Sequence, residues 1–155
     1  MTVRVLFVCL GNICRSPLAE AAFRLEAERI GLPAEADSAG TGGWHAGEPP
    51  DPRARAAARR NGVDIGSLRA RQVTPEDFHR FDHIVAMDRQ NLAQLRRIRP
   101  ADARAELTLL LDHVEGREGD AVVDPYYGGE EHFDATWRDV SRGASALAHK
   151  LLEAR

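Results

Sequence analysis

Within eight residues this sequence places a nucleophile, an anion cradle and a fixed cation: Cys9-Leu10-Gly11-Asn12-Ile13-Cys14-Arg15-Ser16. The nucleophile of a cysteine is its thiolate, so the question is what would stabilise a charged sulfur at Cys9. Gly11 permits close backbone approach, and Asn12 tolerates a left-handed conformation while bonding locally. A loop of that kind can turn successive N–H groups inward as an anion nest. Arg15 adds forked donors that match the oxygens of a phosphate. The Ser16 hydroxyl can donate to the sulfur, and a helix starting beside it adds its dipole and unpaired amides. Each of these favours the thiolate. The same donors would hold a phosphoryl group over Cys9 and stabilise the charge that spreads over its equatorial oxygens during transfer. By itself, a cysteine six residues before an arginine is also what a buried thiol ending a core strand looks like. A Walker-type nucleotide loop is excluded because no Gly-Lys-Ser/Thr follows.

The elements around the loop favour the chemical reading. Val3 to Val8 is a continuous apolar run rich in β-branched residues, the pattern of a strand covered on both faces. Ser16 reads as an N-cap and Pro17 as a first helical residue. Leu18, Ala22 and Leu25 form one apolar row, with Ala19, Phe23, Ala27 and Ile30 beside it, until Gly31 and Pro33 stop the helix. A short second strand begins near Glu35 and ends at Ala39-Gly40. A turn-rich loop, Thr41 to Pro50, leads to a helix capped by Asp51 and opened by Pro52. Thr74 to Asp77 opens another short helix. Ile84 to Met87 is a third strand, Asp88 caps a helix bearing Leu92, Leu95 and Ile98, and Leu107 to Leu111 is the fourth strand. A last helix runs from Glu131 to Leu152. Strands alternating with helices predict an α/β fold, a four-stranded parallel sheet with helices on both faces, doubly wound and Rossmann-like. Ligands of such sheets bind beyond the carboxyl ends of the strands, where Cys9 sits.

The bulk composition narrows the function classes. The chain has 155 residues, 43% hydrophobic and 29% charged, which suits a single soluble domain spanning 1–155. No run approaches the roughly 18 apolar residues of a membrane helix, and Val3 to Val8 is too short for a signal peptide. The expected location is cytoplasmic, with no membrane partner. A net charge of −3 argues against nucleic acid as a partner, and the basic run from Arg53 to Arg60 reads as an exposed helix face. Two cysteines, both in the opening loop, do not make a disulfide scaffold, and six scattered histidines show no metal-ligand spacing. No cofactor and no metal are expected, and the chain is read as a monomer.

Cys9 to Pro17, followed by Leu18-Ala19-Glu20, resembles the signature of the low-molecular-weight protein tyrosine phosphatases. Asp37-Ser38-Ala39-Gly40-Thr41, Ala70-Arg71-Gln72-Val73, Met87-Asp88 and Asp124-Pro125-Tyr126-Tyr127-Gly128 resemble further landmarks of that family, in its order. The resemblance spans nearly the whole chain. It implies a hydrolase that needs no metal, acts on phosphotyrosine proteins and small aryl phosphates, and forms a phosphocysteine on Cys9. Arg15 and the amides of Leu10, Gly11, Asn12, Ile13, Cys14 and Ser16 would bind the phosphate. Asp124 would protonate the leaving phenol and then activate water. The residue order allows this, since Pro125 biases Asp124 toward an extended conformation, although an Asp-Pro pair also reads simply as a turn.

The resemblance further places Trp44 on one wall of the pocket mouth, with Tyr126 opposite and Tyr127 alongside. Two aromatic walls suit a flat phenyl ring and keep a short phosphoserine from reaching Cys9. Cys14 reads either as a small packed hydrophobe or, as the resemblance implies, as a redox guard that pairs with an oxidised Cys9. Related arginine phosphatases carry threonine where this chain has Ile13, and the added apolar bulk favours an aryl phosphate over a guanidinium phosphate. Many relatives carry a histidine where this chain has Leu68. That histidine would join residues matching Asn12, Ser16 and Ser38 in bracing the loop, so the supporting role of Ser38 depends on what replaces it. Rival readings are an arginine phosphatase, an arsenate reductase, which needs downstream cysteines absent after Cys14, and a non-catalytic phosphotyrosine-binding module, which would lack Cys9, Arg15 or Asp124.

Overall fold

The computed structural model describes residues 1–155. Strand β1 (Val3–Cys9) lies inside a four-stranded parallel sheet of order β2-β1-β3-β4, where β2 is Ala34–Gly40, β3 is His83–Ala86 and β4 is Glu106–Leu109. Along β1 the side chains alternate between two cores. Val5, Phe7 and Cys9 face a layer made by α1 (Arg15–Ile30), α2 (Pro52–Arg60) and α5 (Glu130–Glu153). Leu6 and Val8 face the other layer, with Phe78 of α3 (Asp77–Arg80) and Leu95 of α4 (Arg89–Ile98). That alternation is the period of two that a doubly covered strand must show. The expected sheet with helices on both faces is therefore present. The chain leaves β1 toward β2 on one side and later crosses to β3 on the other, so Cys9 stands where the strand order reverses, the position at which open α/β sheets bind ligands.

Local details differ from the sequence reading in three places. Ser16 is the second residue of α1 rather than its cap; Cys14 occupies the cap position and caps nothing with its side chain. Pro17 is tolerated there because N–H groups of the first turn lack intrahelical acceptors. β4 ends at Leu109, and Leu110 and Leu111 form a 3₁₀ turn over Leu110–His113 that carries both side chains into the opposite core. A short apolar run does not distinguish a strand from a buried turn. Leu25, read as part of the buried row of α1, is exposed. The caps expected at Asp51 and Asp88 are present: Asp51 accepts from the Arg53 N–H at 2.8 Å, and Asp88 from the Asn91 N–H at 2.8 Å. No helix is long and apolar enough to cross a membrane.

His113, in the turn after β4, shares a surface pocket with His83, Glu106 and Lys150. Burial pushes it down to about 4, and the Lys150 ammonium adds to the shift. Between that value and the ordinary 6.5, the unfolded chain binds a proton that folded His113 refuses. Stability therefore falls as pH drops through this window. In urea unfolding, His113→Gln is expected to lose less stability than the parent between neutral pH and about pH 4.5. An equal or larger loss in the variant would contradict this.

Candidate active site

The loop from Leu10 to Cys14 leaves the end of β1 and turns sharply at Asn12, whose φ of 59° is the one positive value outside glycine. The Asn12 amide is fully occupied. Its Nδ2 donates to the Ser16 and Ser38 hydroxyls, each at 2.9 Å, and its Oδ1 accepts from the Arg71 N–H at 3.0 Å. Because Ser16 already accepts from Asn12, its own proton is free for the Cys9 sulfur, 3.1 Å away; the Ala39 carbonyl, at 3.4 Å, is the alternative acceptor. The Asn12 N–H reaches the same sulfur at 3.3 Å. Two donors thus point at a buried sulfur.

The backbone N–H groups of Leu10, Gly11, Ile13 and Cys14 donate to no carbonyl of the chain, and Arg15 and Ser16 open a helix, where amides have no intrahelical acceptor. These unspent donors lie in the loop that runs from Cys9 to the start of α1, most of whose residues line one cleft with Cys9. Close approach of the neighbouring chain holds the loop's outer side. A Cβ on Gly40 would stand 2.8 Å from the Leu10 carbonyl oxygen, so only glycine fits where β2 ends beside the loop.

Arg15 is buried, 3% exposed, and fixed through one nitrogen. Its Nη1 donates to Asp88 Oδ2 at 2.7 Å and to the Val122 carbonyl at 3.0 Å. Its Nε and Nη2 have no hydrogen-bond acceptor in the chain, leaving one edge of the guanidinium for a ligand. Burial works against its charge, but facing Cys9 and Asp88 raise its hold on the proton above the ordinary arginine value. Asp88 performs two tasks with one carboxylate, capping α4 through Oδ1 and orienting Arg15 through Oδ2.

Asp124 lies across the cleft, with Oδ2 3.6 Å from Arg15 Nη2 and a side chain 43% exposed. Its Oδ1 accepts from the Tyr126 N–H at 3.1 Å, a local turn that leaves Oδ2 directed toward the cleft. Cys9, Leu10, Gly11, Ile13, Cys14 and Arg15 line a cleft of about 210 Å³ whose other walls are Trp44, His45, Asp124, Tyr126 and Tyr127. Trp44 is 71% exposed and lies against Gly42, where a Cβ would run into its ring. Tyr126 and Tyr127 meet edge to face with centroids 5.1 Å apart. Every pocket residue named from the sequence thus borders one cleft, and Asn12, Ser16 and Ser38 lie behind it.

Cys14 is also buried, and burial pushes its thiol far up, with Asp51 and Cys9 adding to the shift. Both cysteines are free. Leu68 packs against the larger core and offers no polar group to the loop. Ser38 bonds without it: it accepts from Asn12 and donates to Glu20 Oε1 at 2.8 Å. Glu20 is buried, which raises its carboxyl above the usual range, while Arg24, 2.8 Å away, opposes the shift.

A model of the family described as low molecular weight phosphotyrosine protein phosphatase matches residues 4–155. The chain belongs to that family. A phosphatase of that name from Schizosaccharomyces pombe is 47% identical over 134 residues, covering 84% of this chain and 85% of its own. The crystal structure of YfkJ from Bacillus subtilis superposes with a TM-score of 0.92 at 40% identity, covering 100% of this chain and 98% of the other. YwlE, whose structure is described as that of an arginine phosphatase, superposes at 0.88 with 29% identity, covering 99% and 98%. This phosphatase is thus a member of a hydrolase family, on the fold expected from its sequence.

Sequence reasoning gave no role at the site to several residues that stand at the cleft or support it from behind. His45 stands over Gly11, with Nδ1 3.1 Å from Glu48 Oε2. Its signal was its place beside Trp44 in a turn-rich loop. Glu20 was the one acid in a helical stretch of buried residues from Leu18 to Phe23. Asp88 was legible only as a cap and a family landmark, and Arg53 only as part of a basic face, because Arg15 and Gly128, which they hold, lie far away in sequence.

Proposed function

We propose that the chain, as one domain over residues 1–155, hydrolyses phosphotyrosine through a phosphocysteine on Cys9. The unspent amides of the loop and the free edge of Arg15 bind the phosphate oxygens and hold phosphorus above the sulfur. Cys9 attacks in line; the sulfur–phosphorus bond forms as the bond to the phenol oxygen breaks. Asp124 delivers a proton to that oxygen, and as a carboxylate it then takes a proton from the water that hydrolyses the phosphocysteine. The observation that carries this reading is a loop of unspent N–H donors that starts at Cys9, whose sulfur lies 3.1 Å from the Ser16 hydroxyl and 3.3 Å from the Asn12 N–H. Ser38, with Asn12 and Ser16, braces the loop from behind.

Phosphotyrosine proteins are the partners of this site. Trp44 and Tyr126 provide flat apolar walls for a phenyl ring, and Ile13 places apolar bulk in the lining of the cleft. A phosphotyrosine peptide is expected to be turned over with a kcat/KM roughly tenfold or more above that of the matching phosphoarginine peptide, the scale on which pocket shape discriminates. Comparable values would overturn the assignment. The reading includes a monomer that needs neither nucleic acid nor membrane. Two free thiols suit the reducing cytoplasm.

Cys14 acts as a redox guard in this scheme. Peroxide converts the Cys9 thiolate to a sulfenic acid; the Cys14 thiol condenses with it, releasing water and leaving a disulfide that added thiol reduces. With Cys14 absent, further oxidation to the irreversible sulfinic acid competes. After peroxide and then excess thiol, the parent is expected to recover most of its activity and Cys14→Ser little. Equal recovery would exclude the guard.

A further inference from the structure

The segment carrying Asp124 has little of its own to hold it. From Val123 to Gly128 it forms neither helix nor strand. Its internal bonds are those from the Tyr126 N–H to Asp124 and from the Gly128 N–H to the Pro125 carbonyl. The one hydrogen bond that reaches the backbone of this stretch from elsewhere is donated by Arg53 Nη1 to the Gly128 carbonyl, at 3.0 Å. The same guanidinium lies 5.5 Å from the centroid of the Tyr126 ring and 4.6 Å from that of Phe133. Its other edge is locked, with Nε and Nη2 donating to the two oxygens of Asp51 at 3.0 and 2.9 Å. The Asp51 N–H in turn donates to the Ile13 carbonyl of the phosphate loop, at 2.8 Å.

A chain of bonds therefore runs from the loop that holds Cys9, through Asp51 and Arg53, to the loop that holds Asp124. We propose that Arg53 is a positioning residue for proton transfer, clamping Gly128 so that Asp124 and the Tyr126 wall stay in register with the Cys9 cradle. The inference rests on Asp124 being the proton donor. Arg53 touches neither substrate nor sulfur in this role. Its planar fork is what allows one side chain to satisfy Asp51 and Gly128 together, and the point charge of lysine cannot do both. A role limited to the first turn of α2 would lower stability and slow all substrates alike.

Two substrates separate these roles. A nitrophenolate leaves readily without a proton, whereas an unsubstituted phenol needs one. Arg53→Ala and Arg53→Lys are each expected to lower kcat/KM for phenyl phosphate about tenfold more than for nitrophenyl phosphate, a part of what general acid catalysis contributes. Arg53→Lys retains the charge and the stem, so it supplies the answer if the alanine variant fails to fold. Asp124→Asn, measured in parallel, is expected to show the same discrimination more strongly. If Asp124→Asn discriminates and both Arg53 variants slow the two substrates equally, or not at all, the positioning role is wrong. If Asp124→Asn itself does not discriminate, the proton-donor reading falls and takes this inference with it.

Discussion

Cys9→Ser is expected to lower turnover of an aryl phosphate by roughly 10⁴-fold or more, the scale seen when the nucleophile of a covalent mechanism is removed. The volume of the side chain hardly changes, and a serine hydroxyl can still bond to Ser16. What disappears is the sulfur that serves as nucleophile. A hydroxyl in this position has no adjacent base to take its proton, since the groups around it, Ser16 Oγ and the Asn12 N–H, donate toward the sulfur. The loop amides and Arg15 are untouched, so the variant is expected to bind phosphotyrosine peptides with an affinity close to the parent's. Loss of turnover with retained binding separates chemistry from folding. A variant that neither binds nor turns over would point to a collapsed loop instead.

Arg15→Lys is expected to cost about 10²–10³-fold in kcat, as removing a preorganised oxyanion donor does. The parent guanidinium divides its donors between the protein and the cleft. Nη1 is committed to Asp88 and Val122, and Nε with Nη2 is left for phosphate oxygens. One ammonium cannot serve both sides. If lysine turns to Asp88, the developing equatorial charge loses its two-point clamp. If it turns to the phosphate, the half-buried Asp88 carboxylate and the buried Val122 carbonyl lose a donor and the start of the Asp124 loop loosens. The loss should appear in kcat as much as in kcat/KM, because the charge being stabilised grows in the transition state. A loss confined to KM would mean that Arg15 only recruits substrate.

How much of this could be read from the chain depends on how local each feature is. Cys9, the loop amides and Arg15 are contiguous, so their types and order announced an anion cradle before any fold was known. Trp44 stood out as an aromatic in a turn-rich loop, and the caps at Asp51 and Asp88 followed from the apolar periodicity after them. What the sequence hid was pairing at long range. Asp88 read as a cap and as part of a family landmark, with no partner assigned, yet its second oxygen holds Arg15, 73 residues away in sequence. Ser16 was legible both as a cap and as a donor to the sulfur; the structure drops the first role and keeps the second, with the hydroxyl 3.1 Å from Cys9 Sγ. The run of arginines from Arg53 to Arg60 read as a solvated face, but Arg53 clamps the Asp124 loop and Arg60 pairs with Asp134 of α5. Leu110 and Leu111 continued an apolar run, and only the packing of the opposite core decides that they turn away from the sheet.

The most direct measurement is a rapid acid quench of the protein during turnover of an aryl phosphate, followed by mapping of the phosphorylated peptide. A phosphoryl group on the peptide that begins in β1, attached to Cys9 and missing in Cys9→Ser, is the expected result, together with a burst of about one phenol per protein molecule when breakdown of the intermediate is slow. A protein that turns over substrate with no trapped phosphoryl group and no burst, or with the group on another residue such as His45, would contradict attack by Cys9.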